Sequence, residues 1–191
     1  MQKNKNDGKN HKLLAVLDEK NYTDTMEVFE VTHSRAVICV DGLYAMQRAK
    51  SGEYKLPGGR LEPGETPIHA LLREVEEETA LLVIEDTIKE IGEITEIRKD
   101  VYDSTKKYIC HSLYYQCDVR EEYGECHRSR NEIEKGLELK WVSAEEMIAA
   151  NKVLDLGSSR ERDTIFMEMF CEKEKHLLCK AEEDETCTKS N

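Results

Sequence analysis

The stretch Leu56–Leu82 constrains this chain most, because it joins a glycine-rich loop, a proline-containing turn and a carboxylate-rich helix. It contains all three prolines of the chain. Pro63 and Gly64 are typical of a type II turn, in which proline fixes one φ angle and glycine accepts a positive φ. Thr66 is a favourable N-cap, and Pro67 suits the first position of a helix. The sequence therefore predicts a tight loop that runs directly into a helix.

The helix expected from Pro67 to about Thr79 has an apolar side and an acidic side. One buried stripe is predicted by apolar residues at helical spacing, Ile68, Leu71, Leu72 and Val75. Beside it, Glu74, Glu77 and Glu78 lie three and four residues apart, so their side chains are neighbours on the helix surface. Crowded carboxylates repel one another and favour a hard divalent cation, which prefers oxygen ligands. In a chain with 36% charged residues, the alternative is an ordinary solvated face.

On these residues the sequence resembles the Nudix hydrolase family, whose members are also described as MutT-like. The residues that carry the resemblance, in the order of the family signature, are Gly59, Glu65, Arg73, Glu74, Val75, Glu77, Glu78 and Leu81. One position departs, because the family usually has glycine where this chain has Ala80. That glycine ends the helix in a left-handed conformation. Ala80 is therefore expected to cost about 1 kcal/mol of stability or to shift the end of the helix.

The resemblance implies an α+β fold, a Nudix-type α/β/α sandwich in which the loop–helix packs on a mixed β-sheet. Asp41-Gly42 suits a type I′ turn between two strands, and Arg120–Lys135 is polar and predicted as a loop. Strands are predicted at Leu13–Leu17, Met26–Thr32, Arg35–Val40, Leu43–Arg48, Glu53–Leu56, Leu82–Ile84, Ile88–Arg98, Lys107–Val119 and Leu137–Val142, and further helices at Ala144–Ala150 and Ser158–Leu178.

The length of 191 residues suits one domain with a proper core. We expect a disordered N-terminus over residues 1–10, a single Nudix hydrolase domain over 11–178, and a mobile acidic tail over 179–191. Three residues of the last predicted helix, Met167, Met169 and Phe170, would pack either on the domain or on a second copy in a homodimer.

The resemblance also implies an activity, namely metal-dependent hydrolysis of a phosphoanhydride bond in a nucleoside diphosphate derivative or a nucleoside triphosphate. Glu74, Glu77 and Glu78 would hold Mg²⁺ or Mn²⁺. Arg73 would orient a glutamate of the signature, and Glu65 would support the loop or assist the metal through water. The alternative is a non-catalytic Nudix-like domain that binds a nucleotide as a sensor or interaction module.

The general base is open between a signature glutamate and an acid on a later loop. Glu132 and Glu134, in the polar segment before Trp141, are the candidates outside the signature. The alternative for both is an exposed carboxylate without a catalytic role.

Residues around the glycine loop are candidates for binding the substrate. Gly58 and Gly59 allow a ligand to approach the backbone closely. Three cations flank the loop and could contact phosphates, or could be solvated charges: Arg48, Lys55 and Arg60. Three tyrosines could stack on a base, or could belong to the core: Tyr54, Tyr114 and Tyr115.

Composition limits the partners further. The net charge of −12 and the lack of a basic run argue against binding long nucleic acid, whereas a bridging cation still allows a small nucleotide. The longest apolar runs are too short to span a bilayer, and the N-terminus lacks the apolar segment of a signal peptide. Seven cysteines without Cys-x-x-Cys spacing are typical of reduced thiols in a cytoplasmic protein.

Overall fold

The computed structural model describes residues 11–154 and 161–174. The strands are β1 Leu13–Asp18, β2 Glu27–Val37, β3 Cys39–Val40, β4 Leu43–Arg48, β5 Tyr54–Lys55, β6 Leu81–Val83, β7 Lys89–Lys99, β8 Lys106–Gln116, β9 Val119–Tyr123 and β10 Glu138–Val142. The helices are α1 Pro67–Thr79, α2 Arg130–Lys135, α3 Ala144–Lys152 and α4 over 161–174, with a 3₁₀ turn at Glu85–Thr87. The predicted N-terminal segment 1–10 and tail 179–191 lie outside the described residues, as do both ends of the predicted helix Ser158–Leu178.

The larger sheet has the strand order β1-β7-β8-β2 and is mixed. Strand β1 runs parallel to β7, β7 antiparallel to β8, and β8 parallel to β2. In the second sheet, β4 pairs with β10, β3 and β5. A two-stranded ribbon of β6 and β9 completes the strands. The prediction of a mixed sheet is therefore confirmed.

Successive residues of the strands point into two different cores, as the two-residue period of a strand requires. Ala36 and Leu113 pack with Leu71 and Val75 of α1 on one face. Their sequence neighbours pack with α3 and α4 on the other face, in a cluster that includes Val37, Tyr114, Met147, Phe166 and Met167. The fold is thus the α/β/α sandwich predicted from the sequence.

The predicted core tyrosines are buried: Tyr54, Tyr114 and Tyr115 are all at most 6% exposed. Tyr114 stacks on Phe166 with a distance of 3.7 Å between ring centroids. This burial fits the core alternative for all three residues rather than stacking on a substrate base. Phe170 is buried in the same cluster, so it packs on the domain itself.

Several boundaries differ from the prediction, most clearly those of one strand and of one expected loop. The expected break between Met26–Thr32 and Arg35–Val40 is absent, because one continuous strand, Glu27–Val37, pairs along its whole length with β8. The segment Arg120–Lys135, expected to be a loop, contains most of β9 and all of α2. Tertiary pairing of β9 with β6 overrides the polar composition there. The hairpin turn is confirmed, since Asp41 and Gly42 both have positive φ angles of 51° and 79°.

Candidate active site

The glycine loop is attached to the edge of the larger sheet by backbone hydrogen bonds to β2. The N–H of Ser34 donates to the Gly59 carbonyl at 3.0 Å, and the N–H of Ala36 donates to the Pro57 carbonyl at 2.9 Å. Gly58 has φ +127°, and a Cβ at this position would overlap the carbonyl of Ser34. Only glycine therefore allows this loop to lie so close to the strand.

Buried side chains hold the loop from behind. Arg35 donates to the carbonyls of Leu56, at 3.2 Å, and Gly58. Asp163, on α4, accepts the N–H of Leu56 at 3.1 Å and the hydroxyl of Tyr114 at 3.1 Å. Sequence reasoning did not identify Arg35 or Asp163, because no local spacing links either residue to the loop.

The helix α1 begins and ends as predicted. The Thr66 hydroxyl accepts the N–H of His69 at 3.2 Å, and Pro67 occupies the first turn. Ala80 follows the last helical residue in a left-handed conformation, with φ 61° and ψ 7°. The helix therefore keeps the end that glycine usually provides in this signature, with alanine in a conformation that it rarely adopts.

Glu78 is the most buried of the signature glutamates, with 2% of its surface exposed. Its carboxylate accepts the N–H of Gly58 at 2.7 Å and the ammonium of Lys55 at 2.8 Å. Burial raises the pKa of Glu78 to about 7, although Lys55 and the Gly58 N–H both favour the ionised form. The Lys55 ammonium, predicted to meet a phosphate, is thus paired with Glu78.

Arg73 connects the other acidic residues of the site. Its guanidinium binds both carboxylate oxygens of Glu65 at 2.9 Å. It also donates to Glu74 at 2.9 Å, to Glu77 at 3.2 Å and to the carbonyl of Arg60 at 3.3 Å. Hydrogen bonds from Arg73 lower the pKa of Glu65. Arg73 therefore orients two signature glutamates and, through Glu65 and Arg60, fixes the loop to the helix.

Glu74 and Glu77 differ in their exposure. The Glu74 side chain is 16% exposed and lies where a Cβ on Gly59 would be, whereas the Glu77 side chain is 40% exposed. Burial raises the pKa of Glu74, and Arg73 opposes this effect. The glycine at position 59 thus makes room for the Glu74 carboxylate.

Carboxylate oxygens are suitable ligands for Mg²⁺ or Mn²⁺, so the donor set of Glu74, Glu77 and Glu78 fits a hard cation. In the described part of the chain, however, no three His, Cys, Asp or Glu side chains are grouped closely enough to hold an ion. Instead, Arg73 pairs with Glu74 and Glu77, and Lys55 pairs with Glu78. A cation would have to replace these positive charges.

The two candidate bases outside the signature occupy different places. Glu132 accepts the N–H of Ser129 at 2.7 Å in a capping box at the start of α2. Burial disfavours its ionised form, but Ser129, the Glu78 carboxyl and Lys55 outweigh burial and lower the pKa of Glu132. Glu132 therefore lies beside Glu78. Glu134 instead pairs with Arg130 on the exposed side of α2, which fits the surface alternative.

The segment before α2 also covers the end of α1. The N–H of His127 donates to the carbonyl of Glu77 at 2.8 Å, and the Arg128 side chain donates to the carbonyl of Glu78 at 3.1 Å. The last carbonyls of a helix lack partners within the helix, so this segment satisfies them. No signal in the sequence connected it to α1.

The two remaining cations lie over aromatic rings. The Arg48 guanidinium is 5.8 Å from the ring centroid of Tyr54, on the strand that leads into the loop. The Arg60 guanidinium is 5.4 Å from the ring centroid of Phe29 on β2. Both residues are exposed.

Known proteins are similar to this chain in sequence or in fold. A MutT-like protein from Streptomyces ambofaciens is 33% identical over 106 residues, or 55% of this chain. The match covers 62% of that relative, which is less than two thirds of its length. Among solved structures, a NUDIX hydrolase from Nitrosomonas europaea has a TM-score of 0.53 at 20% identity, covering 74% of this chain and 89% of the other.

A MutT protein from Methanosarcina mazei Go1 has a TM-score of 0.52 at 20% identity, over 79% of this chain and 99% of the other. At this identity, the structural likenesses establish the fold alone. The family is established by the sequence, which matches the NUDIX domain over residues 32–163, more than half of the chain. This protein belongs to the NUDIX domain family.

Proposed function

We propose that this chain hydrolyses a phosphoanhydride bond in a nucleoside diphosphate derivative or a nucleoside triphosphate, with Mg²⁺ or Mn²⁺ held by Glu74, Glu77 and Glu78. The observation that carries the proposal is the contact between Gly58 and Glu78. A buried carboxylate on the helix is joined directly to the backbone of the glycine loop. A cation at the helix would therefore lie next to the loop that can approach a diphosphate.

In the proposed hydrolysis, the residues of the site would have different roles. A bound divalent cation supplies charge neutralisation for phosphate oxygens and lowers the pKa of a coordinated water. Arg73 keeps Glu74 and Glu77 in place, and Gly59 leaves the space that Glu74 occupies. Of the two outside candidates, we assign Glu132 to accept the proton of the attacking water because it lies beside Glu78, although its lowered pKa makes it a weaker base than an unperturbed glutamate.

The amino-acid composition bears on the size of the substrate and on the cellular compartment proposed for this activity. A net charge of −12 suits a small nucleotide bound through a cation better than a long nucleic acid. Within residues 11–154 and 161–174, no helix has the length and apolar character needed to cross a membrane. We propose a cytoplasmic enzyme on the basis of its cysteine content, and a homodimer stays a prediction.

The activity can be tested by measuring phosphate and pyrophosphate release from nucleoside triphosphates, dinucleotides and nucleoside diphosphate sugars with Mg²⁺ or Mn²⁺. We expect turnover with at least one substrate class, lost on chelation. Glu77→Gln should lower kcat by about 100-fold or more, since it removes a charged ligand. Glu134→Gln is the matched control, because Glu134 is exposed and paired with Arg130. Undiminished turnover in Glu77→Gln would exclude the metal assignment.

One observation favours the second candidate, a nucleotide-binding domain without catalysis. Glu74 and Glu77 pair with Arg73, and Glu78 pairs with Lys55, so each proposed metal ligand has a protein partner without a cation. Calorimetric binding of a nucleotide without release of any phosphate product, in either metal, would support this candidate and exclude the enzyme.

A further inference from the structure

An exposed aromatic pair lies on the larger sheet beyond the glycine loop. Phe29 on β2 and Tyr108 on β8 are directly opposite in the strand register, with 6.0 Å between ring centroids and 50° between ring planes. Phe29 is 37% exposed, whereas Tyr108 is only partly exposed. The exposed ring of Phe29 lies beside the candidate site, where a ligand can reach it.

Tyr108 packs against a network of buried charged side chains. The Arg98 guanidinium lies 4.2 Å from the ring centroid of Tyr108. Arg98 donates to Glu96 at 2.5 Å, and Arg162 of α4 donates to the other oxygen of the same carboxylate at 3.0 Å. Glu96 is fully buried, so this network is shielded from solvent. Tyr108 is therefore fixed in position, and the accessible ring of the pair is that of Phe29.

The Phe29 ring is connected to the glycine loop by one residue. Arg60 follows Gly59 and forms a backbone bridge to His33 on β2, and its side chain extends back over Phe29. Phe29 and His33 are four residues apart on one strand, or about 13 Å at about 3.3 Å per residue. That separation is on the scale of a nucleotide measured from its base to its terminal phosphate.

Four cations lie near His33, between the ring and the loop. The pKa of His33 is well below its usual value because of burial and because of four nearby cations, Arg35, Arg162, Arg60 and Lys55. Lys55 and Arg162 are already paired with Glu78 and Glu96, so Arg60, whose guanidinium lies over the ring, is the cation we assign to an anionic group between the loop and Phe29.

We propose that Phe29 is the stacking platform for the nucleobase of the substrate, and that Arg60 leaves the ring to contact the phosphates when the base binds. This inference rests on the proposed function, and it narrows the substrates to phosphoanhydrides that carry a base. Base stacking on an aromatic ring suits Phe29, because every base presents a planar π face and the ring already accepts a planar guanidinium.

The test measures binding by calorimetry, with a chelator and without hydrolysis, for nucleoside 5′-monophosphates and for ribose 5-phosphate as the matched ligand that lacks a base. Wild-type protein should prefer the nucleotides. Phe29→Leu and Phe29→Ala should reduce that preference by about 5- to 150-fold, the range for one stacked base. Phe29→Tyr should keep it. Tyr123→Ala removes an aromatic residue that is 66% exposed on β9, and controls for the general loss of surface area.

Equal affinity of the wild type for both ligands would overturn the proposal, as would an intact preference in a folded Phe29→Leu or Phe29→Ala. Phe29→Leu retains an apolar side chain at this position, so the inference can be tested even if the alanine variant does not fold. The stacking proposal and the proposed hydrolysis can fail independently of each other. A preference that depends on Phe29, in a protein that releases no phosphate product, would retain the platform and exclude the enzyme.

Discussion

The buried carboxyl of Glu78 should make stability depend on pH in a direction opposite to that of most surface carboxylates. Its pKa is raised from 4.5 to about 7, mainly by burial. At 1.36 kcal/mol for each pKa unit, the difference corresponds to about 3 kcal/mol. Between these values the folded protein retains a proton that the unfolded chain releases. The stabilisation that the protonated Glu78 carboxyl adds to the free energy of unfolding is therefore fully present below about pH 4.5 and is lost as the pH rises through 7.

Glu78→Gln removes this titration while it keeps an oxygen that can accept the N–H of Gly58. We expect the free energy of unfolding of the wild type, relative to that of the variant, to fall by about 3 kcal/mol between pH 4.5 and pH 8. Urea denaturation of both proteins with a chelator, at intervals of one pH unit, measures the difference. Glu134→Gln controls for the loss of a surface carboxylate. Parallel curves for the wild type and Glu78→Gln would refute the buried, protonated carboxyl.

Three other predictions concern the same loop and helix. Ala80→Gly should raise the free energy of unfolding by about 1 kcal/mol, because glycine accepts the φ angle of 61° without strain; an unchanged urea midpoint would contradict this. Gly59→Ala should displace the Glu74 carboxylate, so that half-maximal activity requires at least about 10-fold more Mg²⁺ while the melting temperature changes little. Glu132→Gln should lower kcat by about 100-fold or more whereas Glu134→Gln should not, and equal effects in single-turnover measurements would remove Glu132 as the base.

The parts of the site that depend on short-range interactions could be predicted from the sequence. The start of α1 follows from Thr66 and Pro67, and of the two outcomes expected at Ala80, a strained left-handed end or a shifted helix end, the structure has the first. The type I′ turn at Asp41-Gly42 is equally local. In each case, steric limits on a few neighbouring φ and ψ angles decide the structure.

The missed helix α2 shows a different limit. Its sequence carries a capping box, with Ser129 and Glu132 three residues apart, and Gly136 ends it in a left-handed conformation. These signals were available, but the polar composition of the segment masked them. Strand β9 had no such signal, because four of its five residues are exposed and its pairing with β6 is decided by tertiary contacts.

The supports of the glycine loop could not be predicted, because they come from distant parts of the chain. Arg35 lies 21 residues before Leu56, and Asp163 lies 107 residues after it. Each is a charged residue in a segment that otherwise contributes to the core, so composition alone would place both at the surface. Their burial is explained only once the fold brings them to the backbone of the loop, whose polar groups need partners away from water.

The segment between β9 and α2 contacts both the candidate metal ligands and the candidate base. Residues before α2 satisfy the carbonyls of Glu77 and Glu78 at the end of α1, and α2 then presents Glu132 beside the Glu78 carboxyl. The backbone that fixes the metal-ligand candidates is thus continuous with the backbone that positions the candidate base. A change in the length of this segment would move Glu132 relative to Glu78 even with every signature residue intact. The signature specifies the candidate metal-ligand carboxylates, and the connection from β9 to α2 determines whether the candidate base Glu132 lies next to them.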